Sequence, residues 1–315
     1  MYNFVEIDDP IEIEERQTRA RRMSQYGLPA LEAGALVEQV YVNFSQFRSC
    51  LNAFDRVFQL AKTLETPHGI LIKGPPGSSK TTLATYFIKS LPASSLFETG
   101  FGAITIRLRT SPAQGHIVSS LLQALKYPFT NVKRNRVFAM RDVAFEALKQ
   151  RGTRIVFVDQ AHCLTTQKRT RHMDVVENSA SDTLREMMEE TRVGLILLAD
   201  SSFRGLEYVD QALDDRVSIK MSLSHFLNDG EWHGFLTAFC SAVSCVNLVL
   251  LMNSHVAERT LLATNGNRRA FRRLIVEAVM IAIQENQKVV SEDHLNRAFK
   301  VVNGTGSSRT NPYAT

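Results

Sequence analysis

With 315 residues, 44% of them hydrophobic and 22% charged, the chain has the composition of a globular protein large enough for one large domain or two modest ones. Its net charge of +5 is only a mild bias toward polyanionic partners, and its four cysteines lack paired spacing or a histidine cluster, which favours free thiols over a metal site. No apolar run is long enough to cross a bilayer and the first residues are charged throughout, so we expect a soluble, cytoplasmic protein without membrane contact.

The first 40 residues are polar and of mixed charge, with acidic residues first and a cluster of arginines after them. Such a segment predicts a flexible or partner-docking arm over residues 1–40. From Tyr41 onward apolar residues recur at three- and four-residue spacing, which predicts a helix leading into the folded part of the chain.

Five short apolar runs, separated by helical patterns, dominate the middle of the chain. They predict strands at residues 69–73, 103–108, 154–159, 193–199 and 217–221. Nearly continuous Ile, Val and Leu are typical of parallel strands with helices on both faces. The sequence therefore predicts an α/β core over residues 41–223, built on a five-stranded parallel sheet.

Only helical patterns follow the last predicted strand. They favour a small all-helical lid over residues 224–302. The turn-rich tail, residues 303–315, is predicted to be disordered.

The motif GPPGSSKTT, residues 74–82, lies between the first predicted strand and a helix. Backbone N–H groups and the helix N-terminus of such a loop point at phosphate oxygens, so the motif predicts an ATP site. Lys80 is expected to neutralise the β- and γ-phosphates, and the Thr81 hydroxyl to hold Mg²⁺. Ser79 stands where the usual pattern has glycine, and we expect it to be tolerated because it keeps its amide. The predicted cofactor-binding residues of the loop are Gly74, Pro75, Pro76, Gly77, Ser78, Ser79, Lys80, Thr81 and Thr82.

A second motif is the apolar strand that ends at Asp159. A carboxylate at this edge of the sheet is expected to position Mg²⁺ beside the phosphates. The next residue, Gln160, stands where such ATPases usually have the glutamate that acts as base. An amide can orient water but cannot accept its proton at neutral pH, so ATP turnover is expected to be weak.

Two further positions fit the same machinery. Asp200 ends an apolar strand where a polar sensor of the γ-phosphate is expected. Arg216, ahead of the last strand, is predicted to reach the γ-phosphate of a neighbouring subunit. The alternative for Arg216 is a surface ion pair with Asp214 or Asp215.

The predicted lid contains Arg268 and Arg269 at the start of a helix, after a turn at residues 266–267. Arginine at a helix N-terminus opposes the helix dipole, which favours a role in contacting nucleotide. The alternative is a solvated basic helix end.

The chain resembles the AAA+ transposition regulators of the TniB/TnsC type, relatives of the initiator and clamp-loader ATPases, over about residues 40–302. Three segments carry the resemblance: YVNF at residues 41–44 ahead of the loop, IRLRTSP at residues 106–112, and a lid that combines GNRR at residues 266–269 with a last helix at residues 291–298. The resemblance implies an AAA+ P-loop core with a small helical lid, which binds ATP with Mg²⁺ at subunit interfaces.

The same resemblance implies a regulator that oligomerises on double-stranded DNA as a ring or filament and recruits or activates a transposase at the target site, with a TniQ-type targeting protein as a further partner. A set of basic residues between the two nucleotide motifs could line a pore and contact phosphates without reading bases. For each one alone, a solvated charged face is an equal alternative. The set is Arg107, Arg109, Lys126, Lys133, Arg134 and Arg136.

Two other functions compete with a DNA-bound ATP switch. One is an ATP-driven remodeller or a helicase- or clamp-loader-like AAA+ ATPase, and Gln160 argues against it because a work cycle needs repeated hydrolysis. The other is a signalling NTPase that never contacts DNA, which only the modest net charge favours.

Overall fold

The computed structural model describes residues 14–17, 25–91, 102–164, 180–304 and 309–314, with the backbone alone at Arg134. The chain divides into two compact units. The core unit is Asn43–His225, and the helical unit combines Met1–Val42 with Phe226–Thr315. Within the described ranges, no helix has the length and apolar character needed to span a membrane.

A five-stranded parallel sheet forms the centre of the core unit, as the sequence predicts. Its strands have the spatial order β2-β3-β4-β1-β5. The three inner strands are buried on both faces, whereas the edge strand β5 alternates between half-buried and exposed residues. The strands are β1 Gly69–Gly74, β2 Ala103–Arg107, β3 Ile155–Asp159, β4 Gly194–Asp200 and β5 Ile219–Ser222.

Helices cover both faces of this sheet. On one face, Phe54 packs against Phe87 and Phe157, with ring centroids 5.5 and 5.1 Å away. On the other face, α4, α5 and α6 bury Leu, Ile, Phe and Met side chains against the strands. The helices of the core unit are α2 Ser45–Leu60, α3 Lys80–Ser90, α4 Gln114–Ala124, α5 Val137–Gln150, α6 Ala180–Thr191 and α7 Gln211–Arg216, and α1 belongs to the other unit.

The helical unit contains no strand within its described residues, in agreement with the predicted lid. Trp232 is fully buried at its centre and packs edge-on against Phe271, with ring centroids 5.5 Å apart. The helices of this unit are α1 Leu28–Glu38, α8 Gly230–Ala242, α9 Ser254–Thr264, α10 Arg268–Gln284 and α11 Glu292–Asn303.

The sequence predicts a flexible or partner-docking arm over residues 1–40, and in the described part of this range α1 packs along α10. Gly34 lies against Met280, the Tyr26 hydroxyl donates to the Glu277 carboxylate, and the Gly27 N–H donates to the Gln284 side chain over 2.7 Å. The helix joins the helical unit because its small residues let the two backbones approach closely.

The C-terminal tail also differs from the predicted disorder where it is described. Tyr313 is only 3% exposed, and its hydroxyl donates to Thr260 Oγ1 over 2.9 Å. Burial of one aromatic ring with a satisfied hydroxyl anchors this segment on the helical unit.

Candidate nucleotide site and basic surface

The C-terminal edge of the sheet brings together three residues that the sequence assigns to a nucleotide site. β1 ends at Gly74, β3 at Asp159 and β4 at Asp200. β4 lies between the other two strands, and Gly74 is the register partner of Asp200. Open α/β sheets bind ligands outside this edge, so the position of these three residues fits a ligand site.

The loop after β1, which the sequence predicts to bind phosphate, contains two residues with a left-handed backbone. Gly77 has a φ of 82° and Ser79 a φ of 69°, both left-handed. Ser79 takes the position where the usual pattern has glycine, and its β-carbon costs roughly 1 kcal/mol in this conformation. α3 begins at the next residue, Lys80, so the N–H groups of its first turn face the loop.

Close packing fixes this loop. A β-carbon at Gly74 would lie 2.7 Å from both the Leu223 carbonyl oxygen and Ser78 Oγ, so only glycine fits. Lys80 Nζ donates to the carbonyl oxygens of Gly74 and Pro75, the latter at 3.0 Å. The positive charge of Lys80 is therefore held over the loop.

A hydrogen bond joins Thr81 of the GPPGSSKTT motif to Asp159 at the end of β3. Thr81 Oγ1 donates to Asp159 Oδ2 over 3.1 Å, and Asp159 Oδ1 accepts the Gln160 N–H over 2.9 Å. Within the described residues, no cluster of three His, Cys, Asp or Glu side chains could hold a metal by itself. A hydroxyl beside one carboxylate fits Mg²⁺, which is usually held by few protein oxygens together with substrate phosphates.

The Gln160 side chain contacts β2 and the turn after it. With its amide oriented to satisfy both neighbours, its oxygen accepts from Arg107 Nη2 over 2.6 Å and its nitrogen donates to the Leu108 carbonyl oxygen over 2.8 Å. The left-handed backbone of Gln160, with φ of 60°, sets this direction. Sequence reasoning missed this contact, because it depends on the register that pairs Arg107 with Asp159.

Asp200 has its own network at the end of β4. Its Oδ1 accepts from the Ser202 N–H over 3.0 Å and from the Ser202 hydroxyl over 2.9 Å. The hydrogen bonds from Ser202, with the nearby charges of Lys80 and His162, hold the pKa of the Asp200 carboxyl below its usual value. His162 also lies near the strand end, with Nδ1 3.3 Å from the Asp200 N–H nitrogen. The Asp200 carboxylate is therefore ionised close to Lys80.

Arg216 lies at the end of α7 and forms an ion pair with Glu189 of α6. Its Nη1 also donates to the Ala212 carbonyl oxygen over 2.7 Å. The alternative pairing with Asp214 or Asp215 is not the one that the structure has, because Asp214 accepts from Lys220 and Asp215 from Gln211. The guanidinium remains partly exposed, with 28% of its side chain accessible.

The predicted DNA-contacting residues lie on the exposed surface around β2, α4 and the start of α5. Arg107 and Arg109 line a cavity of about 650 Å³ together with Gln160 and His116. Arg134 is in a short helical turn, and its side chain lies outside the described residues. The basic residues of this surface with described, exposed side chains are Arg107, Arg109, Lys126, Lys133 and Arg136.

Arg268 and Arg269 belong to the helical unit, whereas the phosphate loop belongs to the core unit. Arg268 is 6% exposed, and its guanidinium lies 5.0 Å from the ring centroid of Phe226. Arg269 is exposed. Within its own unit, Arg268 thus packs as a buried cation, and of the pair only Arg269 is accessible.

The sheet order and the loop between β1 and α3 show that the chain has an AAA+ P-loop ATPase fold. It is similar to the Aeropyrum pernix ORC1 protein in complex with DNA, with a TM-score of 0.61 at 18% identity over 86% of this chain and 69% of that one. The Aeropyrum pernix ORC2 protein in ADPNP-ADP complexes gives 0.61 at 15% identity, over 87% and 72%. Drosophila ORC bound to DNA gives 0.52 at 13% identity, over 97% and 70%.

The chain belongs to the bacterial TniB protein family, whose model matches residues 33–218. This match includes the phosphate loop, Asp159 and Arg216. The search of curated proteins gave no match.

Proposed function

We propose that the chain binds ATP with Mg²⁺ at the edge of the sheet, and the contact between Thr81 and Asp159 beside Lys80 carries this proposal. The residues of the loop from Gly74 to Thr82 would hold the phosphates through backbone N–H groups and the Lys80 charge. Thr81 and Asp159 would hold Mg²⁺, which would neutralise phosphate charge when bound. Asp200 would sense the γ-phosphate.

We infer further that the nucleotide works as a switch rather than as fuel for a motor. Gln160 cannot act as a base, and its amide is engaged by Arg107 and Leu108. Without a base, hydrolysis would be slow and the ATP-bound state would persist. This argues against the alternative function, an ATP-driven remodeller or clamp-loader-like ATPase.

The proposed role of the switch is regulation of transposition. The bound protein would oligomerise on double-stranded DNA as a ring or filament, with Arg216 reaching the nucleotide of the next subunit, and would recruit or activate a transposase at the target site with a TniQ-type partner. Membership of the TniB family supports this role, as does the exposed basic surface of the core unit. Two of the similar structures, Aeropyrum pernix ORC1 and Drosophila ORC, contain bound DNA, which agrees with this role.

Fluorescence anisotropy on two unrelated duplexes, across a salt series and with or without an ATP analogue, tests the proposal. We expect analogue-dependent binding without base-specific contacts, so that two unrelated duplexes with the same number of pyrimidine–purine steps bind with equal affinity. We also expect binding to weaken with salt, with a slope near −0.9 per phosphate contact in log affinity against log salt.

Each outcome separates the competing functions. Binding of analogue without binding of DNA would support a signalling NTPase and overturn the regulator. Salt-insensitive binding would exclude phosphate contacts by the basic surface. Rapid steady-state phosphate release on DNA would favour a remodeller over a switch.

A further inference from the structure

The segment between α4 and the first turn of α5, residues 126–138, is here called the basic segment. It contains four basic residues and no acidic residue. It also presents two large apolar side chains to solvent: Phe129 is 73% exposed and Phe138 is 57% exposed. Exposed aromatic rings in a segment with basic residues and no acidic residue are unusual on a surface. They indicate an anionic partner with apolar parts.

The core holds the backbone of this segment on both sides of Phe129. The Tyr127 N–H donates to the Leu122 carbonyl oxygen over 2.9 Å, and the Ser119 hydroxyl donates to the Thr130 carbonyl oxygen over 2.7 Å. Val132 packs against the buried cluster of the core. The ring of Phe129 therefore projects from an anchored turn.

Phe138 is oriented by a neighbour on its own helix. The Arg141 guanidinium lies 5.7 Å from its ring centroid and also pairs with Glu186 over 2.8 Å. Arg141 is thus fixed between an aromatic ring and a carboxylate on α6. This contact restrains Phe138 while more than half of its surface stays accessible.

We propose that Phe129 and Phe138 each act as an apolar wedge that enters the minor groove of duplex DNA and partly unstacks a base step. Lys133 and Arg136 would bind the flanking phosphates. The inference rests on the proposed function, which it extends from phosphate contacts to the deformation of DNA. Apolar side chains of this kind kink a duplex where they insert between base pairs.

A wedge gives the protein a preference for base steps that unstack easily, and this preference does not require hydrogen bonds to bases. Pyrimidine–purine steps such as TA and CA/TG unstack more easily than other steps. The proposed wedge therefore predicts tighter binding to duplexes that are rich in such steps or that contain a mismatch. The affinities for all duplexes without a mismatch should still depend on salt in the same way, since the phosphate contacts do not change.

The test compares Phe129→Ala, Phe138→Ala and Lys133→Ala with the unmodified protein, using an ATP analogue and a duplex that carries 2-aminopurine at a TA step. Tyr208→Ala is the matched control, because Tyr208 is an aromatic residue with 59% exposure outside the basic segment. Each variant is measured for affinity, salt slope, 2-aminopurine fluorescence and analogue-driven assembly without DNA.

We expect each Phe variant to lose affinity by about five- to a hundredfold, which is the scale of one base–aromatic contact. The salt slope should stay unchanged and the rise of 2-aminopurine fluorescence should disappear. Lys133→Ala should instead reduce the slope by about one and keep the fluorescence change. Tyr208→Ala should match the unmodified protein.

Two results would overturn the wedge while leaving the proposed function intact. One is DNA binding and 2-aminopurine fluorescence by the Phe variants that equal those of the unmodified protein. The other is a loss of assembly without DNA, which would mean that the rings pack against a second copy of the chain. Failure of the unmodified protein to bind any duplex would instead remove the proposed function itself.

Discussion

Arg107 and Gln160 are joined across the β2–β3 pair, with the guanidinium Nη2 2.6 Å from the carboxamide oxygen. Arg107 is exposed on the basic surface, and Gln160 follows the carboxylate that we assign to Mg²⁺. This contact therefore connects the surface proposed for DNA to the residue that takes the place of the catalytic base.

Gln160→Glu should raise ATP turnover, because it restores a group that can accept a proton. General-base catalysis is worth about a hundred- to ten-thousandfold. The new carboxylate would also form an ion pair with Arg107, which would hold it away from water. We therefore expect the double variant Gln160→Glu, Arg107→Ala to turn over faster than Gln160→Glu alone, measured as steady-state phosphate release without DNA.

Arg109→Ala is the control for this pair, because Arg109 lines the same cavity two residues further along the chain. Combined with Gln160→Glu, it should leave turnover at the level of the single variant. Rapid phosphate release by the unmodified protein would show that Gln160 does not limit hydrolysis.

Lys80→Ala should weaken nucleotide binding about ten- to a hundredfold, the scale of a hydrogen bond to a charged group. The backbone of the loop cannot replace the lost charge. Titration with a fluorescent nucleotide measures the effect, and Lys89→Ala in the last turn of the same helix is the matched control. Equal affinities for the two variants would contradict the assignment of the phosphate loop.

Arg216→Ala and Lys80→Ala should each block analogue-dependent assembly, and their mixture should restore part of it. Each variant damages a different side of the proposed interface, so some composite sites in the mixture are intact. Assembly is measured by light scattering or sedimentation. A mixture that assembles no better than either variant would remove support for a role of Arg216 in trans.

Asp200→Asn should change stability in a pH-dependent way. The folded-state pKa of Asp200 is lowered by Ser202 hydrogen bonds, so its contribution is complete above the unfolded pKa of about 3.9 and is lost as pH falls through the lower folded value. Urea midpoints should therefore differ between the two proteins at pH 7 and converge below about pH 4. A difference that stays constant across this range would show that ionisation of Asp200 contributes nothing.

Val37→Asp should strongly destabilise the helical unit, because Val37 is fully buried in the face of α1 that meets α10. An unpaired buried charge costs several kcal/mol. Leu36→Asp is the control, because Leu36 is next to Val37 in the same helix but is 56% exposed. Trp232 is the single tryptophan of the chain and is buried in this unit, so its fluorescence reports the unfolding midpoint directly. Equal midpoints for the two variants would contradict the packing of α1.

The sheet and the loop between β1 and α3 could be predicted because their signals are local. Each strand is a short apolar run, and the loop is one continuous motif. Helix α1 was missed for a physical reason: its leucines at Leu28, Leu31 and Leu36 face solvent, whereas Ala33 and Gly34 face α10. Because apolar residues also lie on the exposed face, the buried positions Ala30, Ala33 and Val37 do not stand out as a single apolar stripe.

Contacts that depend on tertiary geometry were beyond the sequence. The ion pair of Arg216 with Glu189 joins two helices, and its partner cannot be chosen from neighbouring positions alone. The exposure of the two phenylalanines of the basic segment was also hard to predict, because an apolar residue in a periodic pattern is expected to be buried.

The close approach of Tyr26 to Glu277 has a consequence for biosynthesis, since 251 positions separate the two residues. The helical unit draws on both ends of the chain, and the core unit is inserted between them. During translation the whole core emerges before α10 exists, so α1 must wait without its partner while the core folds. Contacts of such long sequence separation form slowly, and the face of α1 that is later buried, with Ala30, Ala33 and Val37, would be accessible to chaperones in that interval.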